Sequence, residues 1–201
     1  GVGVGAHGVR SGLDYTTPIS YAVSTQGGDH TSIATLPPDS EYGESWALLL
    51  DSSVICMFAY DEELVWRFYK VVTGWEFDRS IWFERIAKRV LTIQRTLLLI
   101  GGPDIYWDPR IDDDIPRRFY TPLPSGPRRG SKVDPKDVVE GRRKYYKAMG
   151  WDEYGIHKTE TLKALGIEEL DSKLEIVNIK DVERSIPEKT RKSVSYTHLR
   201  A

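Results

Sequence analysis

The chain has 201 residues, of which 40% are hydrophobic and 29% charged, and its formal charge is −2 from 28 basic and 30 acidic side chains. That length suits one ordinary or large domain with a real core, and the balance excludes collagen-like, low-complexity and wholly disordered classes. There is no run of about 18 apolar residues to cross a membrane, and the near-neutral charge gives no global attraction for nucleic acid or anionic lipid.

The chain opens Gly1-Val2-Gly3-Val4-Gly5 without an initiator Met and reads as starting mid-element. Residues 14–24 and 173–179 have short stretches compatible with β structure. Glu44 to Phe58 carries Trp46, Leu49, Leu50, Ser53, Val54 and Met57 at helical spacing, which predicts a helix over 44–58. Asp61 is placed to cap a second helix over 61–73, with Leu64, Val65, Phe68, Val71 and Val72 as its apolar positions and Gly74 as its stop. The third and longest, 79–100, would be capped by Asp78 and ended by Gly101-Gly102. Its apolar stripe is Trp82, Ile86, Val90, Ile93 and Leu97, and Arg79, Arg85, Lys88, Arg89 and Arg95 lie on the opposite face. Residues 102–131, rich in Pro, Gly and charge, read as a long ordered loop, a feature that goes with function or an interface. Asp134-Pro135 starts a helix over 135–148, with Pro at the first helical position, and Thr159 is placed to cap a short helix over 159–165. The fold expected is mainly α, with a loop-rich stretch over 1–35, a helical domain over 36–192 and a tail over 193–201. That tail follows no preceding periodicity and reads as non-native. Residues 1–30 are expected to be under-packed.

Few residues suggest chemistry on their own. Gly27-Gly28-Asp29-His30 is a tight turn delivering a carboxylate and an imidazole together, and histidine is the side chain suited to proton transfer near neutral pH. The alternative is a structural histidine in a loop. Cys56, the single cysteine, excludes an intramolecular disulfide framework and points to a reducing compartment, the cytoplasm. On a continued helix it would share a face with Ser52 and serve as a small core residue, because a metal role needs partner ligands and the chain has no second Cys. Asp112, Asp113 and Asp114, followed by Arg117 and Arg118, read as self-neutralising surface charge. Arg128, Arg129, Lys132, Lys136, Arg142, Arg143 and Lys144, interrupted by acids, read as a solvated surface.

Taken in order, several segments resemble the C-terminal part of the aldehyde:ferredoxin oxidoreductase family. They are Ile19 to His30, Asp51-Ser52-Ser53-Val54-Ile55-Cys56-Met57-Phe58, Glu84 to Val90, Asp113 to Phe119 with Pro122 to Pro127, and Gly150 to Ile156 with Leu162 to Ile167. The second is similar to the family's D-x-x-G-L-C-x-F. The resemblance runs from about Arg10 to Leu170. It implies a tungsten (or molybdenum) bis-molybdopterin cofactor and a [4Fe–4S] cluster. Asp51 would accept from the pterin amine, with Asp29 and Ile55 beside the cofactor. Cys56 would be one cluster ligand, with the other three thiolates in a C-x-x-C-x-x-x-C motif upstream. His30 would be the proton donor or acceptor near the metal. Val54 and Ile55 stand where the family has Gly and Leu, and the connection from His30 to Asp51 is short.

The activity this implies is oxidation of an aldehyde to a carboxylic acid, with electrons passed to ferredoxin. The chain alone would be an inactive fragment. Expected partners are ferredoxin, the missing N-terminal part of the same chain and, in a homo-oligomer, further copies of it, with neither nucleic acid nor membrane. The alternative is a helical interaction or scaffold module that keeps the fold without the chemistry, a reading that the Val54-Ile55 departure favours.

Overall fold

A computed structural model describes residues 19, 21–27, 32–34, 43–59, 61–76, 79–101 and 107–174. In chain order these form α1 (Glu44–Ser52), α2 (Glu62–Thr73), α3 (Arg79–Ile81), a π-turn (Trp82–Ala87), α4 (Lys88–Ile100), a 3₁₀ turn (Arg117–Tyr120), α5 (Pro135–Met149), α6 (Thr159–Leu165), a second 3₁₀ turn (Glu168–Leu170) and α7 (Asp171–Leu174). Among the described residues there is no strand, only an isolated bridge between Trp151 and His157. The mainly α expectation holds. Residues 21–24, expected as possible β, are turns, and the remaining residues of both β candidates except 19, 173 and 174 lie outside the described set, as do Gly1–Gly8 and the tail over 193–201.

Helix ends follow local chemistry where the sequence offers it. Asp61 accepts from the Leu64 N–H at 2.9 Å and Asp134 from the Lys136 N–H at 2.9 Å, so each satisfies a donor that the first turn leaves orphaned. Gly74, Gly150 and Gly166 close α2, α5 and α6 in the left-handed conformation. Asp78 lies outside the described residues. Thr159 is not a cap: Lys158 holds that position, and the Thr159 hydroxyl instead donates to the Asp171 carboxylate at 2.9 Å.

Two expectations fail for identifiable reasons. The helix predicted over 44–58 ends at Ser52. Val54 N–H donates to the Asp51 carbonyl at 3.1 Å and Ile55 N–H to the Leu50 carbonyl at 2.9 Å. These are the paired bonds of a Schellman stop, with Val54 at φ 58° in the left-handed position that glycine usually fills. A valine hides this stop from a reading based on glycine. The second failure is in the long helical run. It is continuous over 79–100 as expected, but residues 82–87 form a π-turn, whose i→i+5 bonding takes up an extra residue. Every later side chain is therefore rotated around the axis. The buried face of α4 is Leu91, Thr92, Arg95, Thr96 and Leu99, while Leu97 is exposed.

The main core joins α1, α2, the π-turn, α4 and α5, with Trp46, Leu49, Leu50, Val65, Trp82, Leu91, Tyr145 and Met149 among its members. A smaller cluster of Leu99, Leu162, Leu165 and Ile167 seats α6 against the end of α4. Ile19, Tyr21, Ala22, Val23 and Ser24 are buried in or beside the main core, so these residues are not under-packed as expected. The region is loop-like, but Ile19 lies tight against α5 at Gly141, and Tyr21 contacts the Phe119 ring. Arg95 and Asp113, both expected at the surface, are buried, with side chains 1% and 0% exposed. The basic residues of 128–144 are exposed as expected, apart from the half-buried Arg142.

Val54 is 93% exposed, so nothing the structure describes offsets a β-branched residue held at positive φ. Val54→Gly is expected to stabilise the fold by about 1–2 kcal/mol, raising the thermal midpoint by about 2–8 °C for a chain of this size. A midpoint that stays level or falls on scanning calorimetry would mean that the left-handed turn carries no strain.

Candidate functional site

The Schellman stop decides what the end of α1 presents. Asp51 lies in the last turn, and the chain leaves the helix at Ser53 instead of running on. Asp51 and Cys56 are both exposed, and Ile55 between them is half-buried against the main core. The core reading of Cys56 is thereby overturned: its thiol is free and faces outward, and with the helix ended it shares no helical face with Ser52. The structure thus brings three of the expected site residues, Asp51, Ile55 and Cys56, to one exposed turn. Beside it, a cleft of about 390 Å³ opens between this turn and α2. Ser52, Ser53 and Ile55 line one side, and Val65, Phe68 and Tyr69 the other.

Asp29 and His30 lie outside the described residues. The chain on either side of them is firmly tied. Ser24 Oγ donates to the Ser32 carbonyl at 2.7 Å. Glu44, the first residue of α1, holds both flanks. Its carboxylate accepts from the Thr25 N–H at 2.7 Å, and its own N–H donates to the Ile33 carbonyl at 2.9 Å. The other carboxylate oxygen accepts from Tyr145 Oη at 2.7 Å. Burial raises the Glu44 pKa, against the opposing pull of the hydrogen bonds from Tyr145 and Thr25. Burial and then the Glu44 carboxylate push the Tyr145 hydroxyl well above the usual range.

A second polar cluster fixes the C-terminal segments against α4. Asp113 accepts from Arg95 Nη1 at 2.8 Å and Nη2 at 2.5 Å. It also accepts from Trp107 Nε1 at 2.8 Å and from the Tyr146 hydroxyl. Arg95 Nε donates to the Gly155 carbonyl at 3.1 Å. A Cβ at Gly155, itself at φ +72°, would lie 2.5 Å from Arg95 Nη2, so only glycine fits there. His157 packs against Trp151 with the rings tilted and their centroids 5.1 Å apart. Burial and then the Arg95 charge depress its pKa to about 4, which keeps the imidazole neutral at physiological pH.

Glu44, Tyr145, Arg95 and Asp113 were not among the expected site residues. A signal existed for two of them: Glu44 precedes the apolar run Trp46–Leu50, and Arg95 lies four residues from both Leu91 and Leu99.

Asp51 and Cys56 have the chemistry to hold part of a metallocofactor. An exposed thiol can ligate iron as thiolate, and an acceptor-only carboxylate suits an amino group. Among the described residues no group of three His, Cys, Asp or Glu could hold a metal ion. Asp51 and Cys56 therefore make no closed metal site by themselves. No helix among the described residues is long and apolar enough to cross a membrane.

A family model described as aldehyde ferredoxin oxidoreductase, domains 2 & 3, matches residues 1–167. The aliphatic sulfonate oxidoreductase, WOR-like subunit, of Pyrococcus furiosus is 49% identical over 182 residues, which cover 90% of this chain and 29% of that protein. The tungsten-containing aldehyde ferredoxin oxidoreductase of the same organism is 32% identical over 130 residues, covering 60% of this chain and 19% of the relative. That of Pyrococcus horikoshii is 36% identical over 97 residues, covering 48% and 15%. The chain thus spans less than a third of the length of these curated relatives.

Proposed function

The chain belongs to the aldehyde ferredoxin oxidoreductase family, and on that premise we propose that it is a segment of a cytoplasmic tungsten- or molybdenum-pterin oxidoreductase that oxidises an aldehyde to a carboxylic acid. Electrons would leave through a [4Fe–4S] cluster to ferredoxin. The observation that carries this reading is the turn after α1. Val54 stands where the family has Gly, yet it takes the left-handed conformation that glycine adopts with ease. The left-handed turn brings Asp51 and Cys56 to one exposed surface, the arrangement that a shared cofactor site needs and a scaffold module does not.

When bound, the cofactor supplies the oxygen and electron chemistry. The chain's own residues hold and orient it. The Cys56 thiolate would serve as one ligand to the cluster, with the others supplied from elsewhere in the full polypeptide. The Asp51 carboxylate would accept from the pterin amine, with Asp29 and Ile55 beside it. His30 takes or gives the proton at the substrate oxygen, as an imidazole near neutral pH can do. Glu44 anchors the chain on both sides of Asp29 and His30.

A second reading of the substrate has a specific observation behind it. The aliphatic sulfonate oxidoreductase subunit matches at 49% over 90% of the chain, whereas the aldehyde enzyme of the same organism matches at 32% over 60%. The test is the full-length enzyme purified without oxygen, with tungsten, molybdenum and iron measured per chain. Ferredoxin reduction is then assayed with a panel of aldehydes and a panel of short aliphatic sulfonates. Aldehyde-dependent reduction supports the first reading, and reduction with sulfonates alone supports the second. A full-length chain without tungsten, molybdenum or iron, inert with both panels, would return the protein to the scaffold class.

A further inference from the structure

His157 lies in the loop between α5 and α6 and is 6% exposed. The isolated bridge pairs it with Trp151 at the other end of that loop. Inside the loop the Asp152 carboxylate accepts from the Tyr154 and Ile156 N–H groups at 2.9 Å each, and the Asp152 N–H donates to the Ile156 carbonyl at 2.8 Å. These bonds make residues 151–157 one compact unit. Its seat on the rest of the fold is Arg95 of α4, which donates to the Gly155 carbonyl and lies 5.3 Å from the Trp151 ring centroid. The Tyr145 ring of α5 meets Trp151 edge-on at 5.8 Å.

Neither ring nitrogen of His157 has a hydrogen-bond partner among the described residues. A neutral imidazole can be buried in this way at modest cost, but an imidazolium adds a charge and a second N–H donor. The surrounding groups offer it nothing. Arg95 on α4 is positive and acts against a second charge, and only the Thr92 backbone favours one. Both oxygens of the Asp113 carboxylate are already filled by Arg95, Trp107 and Tyr146. The Tyr145 hydroxyl of α5 donates to Glu44. Asp152 is engaged by its own loop, and Glu153 and Lys158 are exposed.

We infer that residues 150–170 form a latch that acid opens: protonation of His157 lifts the loop off Arg95 and frees α6 with it. An imidazolium reaches water only by leaving its pocket. Its departure breaks the bridge to Trp151 and draws the Gly155 carbonyl away from the guanidinium. Helix α6 follows, because a single small cluster of Leu162, Leu165 and Ile167 around Leu99 seats it on α4. The closed latch holds His157 neutral down to about 4, whereas the open one lets it take a proton near the ordinary 6.5. Opening is therefore favoured about tenfold for each pH unit lost between those two values, and does not change with pH above them. Histidine is the side chain whose charge changes in this range, and His157 is the one histidine among the described residues. The latch does not rest on any cofactor or catalytic role.

The test is amide hydrogen exchange of the full-length protein, followed by mass spectrometry at about pH 7.5 and about pH 5 and corrected for the intrinsic rates. Protection of residues 150–170 is expected to fall roughly thirtyfold between the two, with α5 (135–149) much less affected. His157→Phe keeps an apolar ring and cannot titrate, so its protection of 150–170 should be the same at both values. Unchanged protection in the unsubstituted protein would overturn the latch. So would an equal loss in α5, which is general acid unfolding, and so would an acid loss that persists in His157→Phe. Exchange of the imidazole C2–H, followed by mass spectrometry in the unsubstituted protein, gives a reading that needs no variant. A His157 midpoint well below 6.5 supports the latch, and one at or above 6.5 overturns it.

Discussion

Arg95→Met is expected to lower the stability of the fold by about 3–5 kcal/mol, read as a fall in the urea midpoint. The guanidinium and the Asp113 carboxylate are both buried, with side chains 1% and 0% exposed, so removing one leaves the other charged and unpaired in a low-dielectric interior. Methionine fills much of the space but restores none of the two bonds to Asp113 or the one to the Gly155 carbonyl. Removing both charges should be much milder than the sum of the single changes, because an apolar pair of similar volume replaces a buried ion pair at little net loss. Arg95→Met with Asp113→Leu is therefore expected to recover most of the lost stability. Loss of less than 1 kcal/mol in the single variant would show that the pair does not hold the C-terminal segments to α4.

Cys56→Ala in the full-length enzyme is expected to abolish ferredoxin reduction and strip or degrade the iron–sulfur cluster, seen as a fall in iron per chain and loss of its paramagnetic signal. On the proposed role, one thiolate of four would be removed and an iron left under-coordinated. Cys56→Asp should retain part of the iron, because a carboxylate can stand in as a ligand. The contrast with a residue of no function is wide. Cys56 is exposed, so truncating it away from a cofactor should change stability by no more than about 0.5 kcal/mol. Unchanged iron and activity in Cys56→Ala would remove the residue from the metal site.

What the sequence made legible was what a few neighbouring residues decide. Asp61 and Asp134 announce their helices because a cap acts within three residues, and Gly74, Gly150 and Gly166 announce the ends for the same reason. The end of α1 was hidden because Val54 occupies a glycine conformation. The buried face of α4 was hidden because a π-turn, which no simple periodicity encodes, shifts everything after it. Arg95 and Asp113 looked like surface charge because they are 18 residues apart, and pairing at that distance leaves no local trace. The candidate site divides in the same way. On its own residues Cys56 read as a core cysteine; only the family resemblance set it beside Asp51 as a cofactor residue, and the structure brings the two to one exposed turn. Glu44 was missed because its partners Thr25 and Tyr145 come from opposite sides of it in the chain.

The hydrogen bond from Tyr145 to Glu44 joins residues 101 positions apart, and that separation has a consequence for synthesis. Until α5 has left the ribosome, Glu44 begins a helix whose following residues are almost wholly apolar and lacks the hydroxyl that satisfies its inner oxygen. The first half of the chain can form α1 and α2 but cannot bury their shared side around an unsatisfied carboxylate. Closing a hundred-residue loop is entropically only modestly harder than closing a short one, yet it must wait for the second half to arrive, and non-local contacts of this kind slow folding. Commitment of this region to the native state thus waits until Tyr145 becomes available. An arrested or cleaved product ending before α5 would expose Trp46, Leu49 and Leu50, and quality-control proteases would recognise it on those side chains.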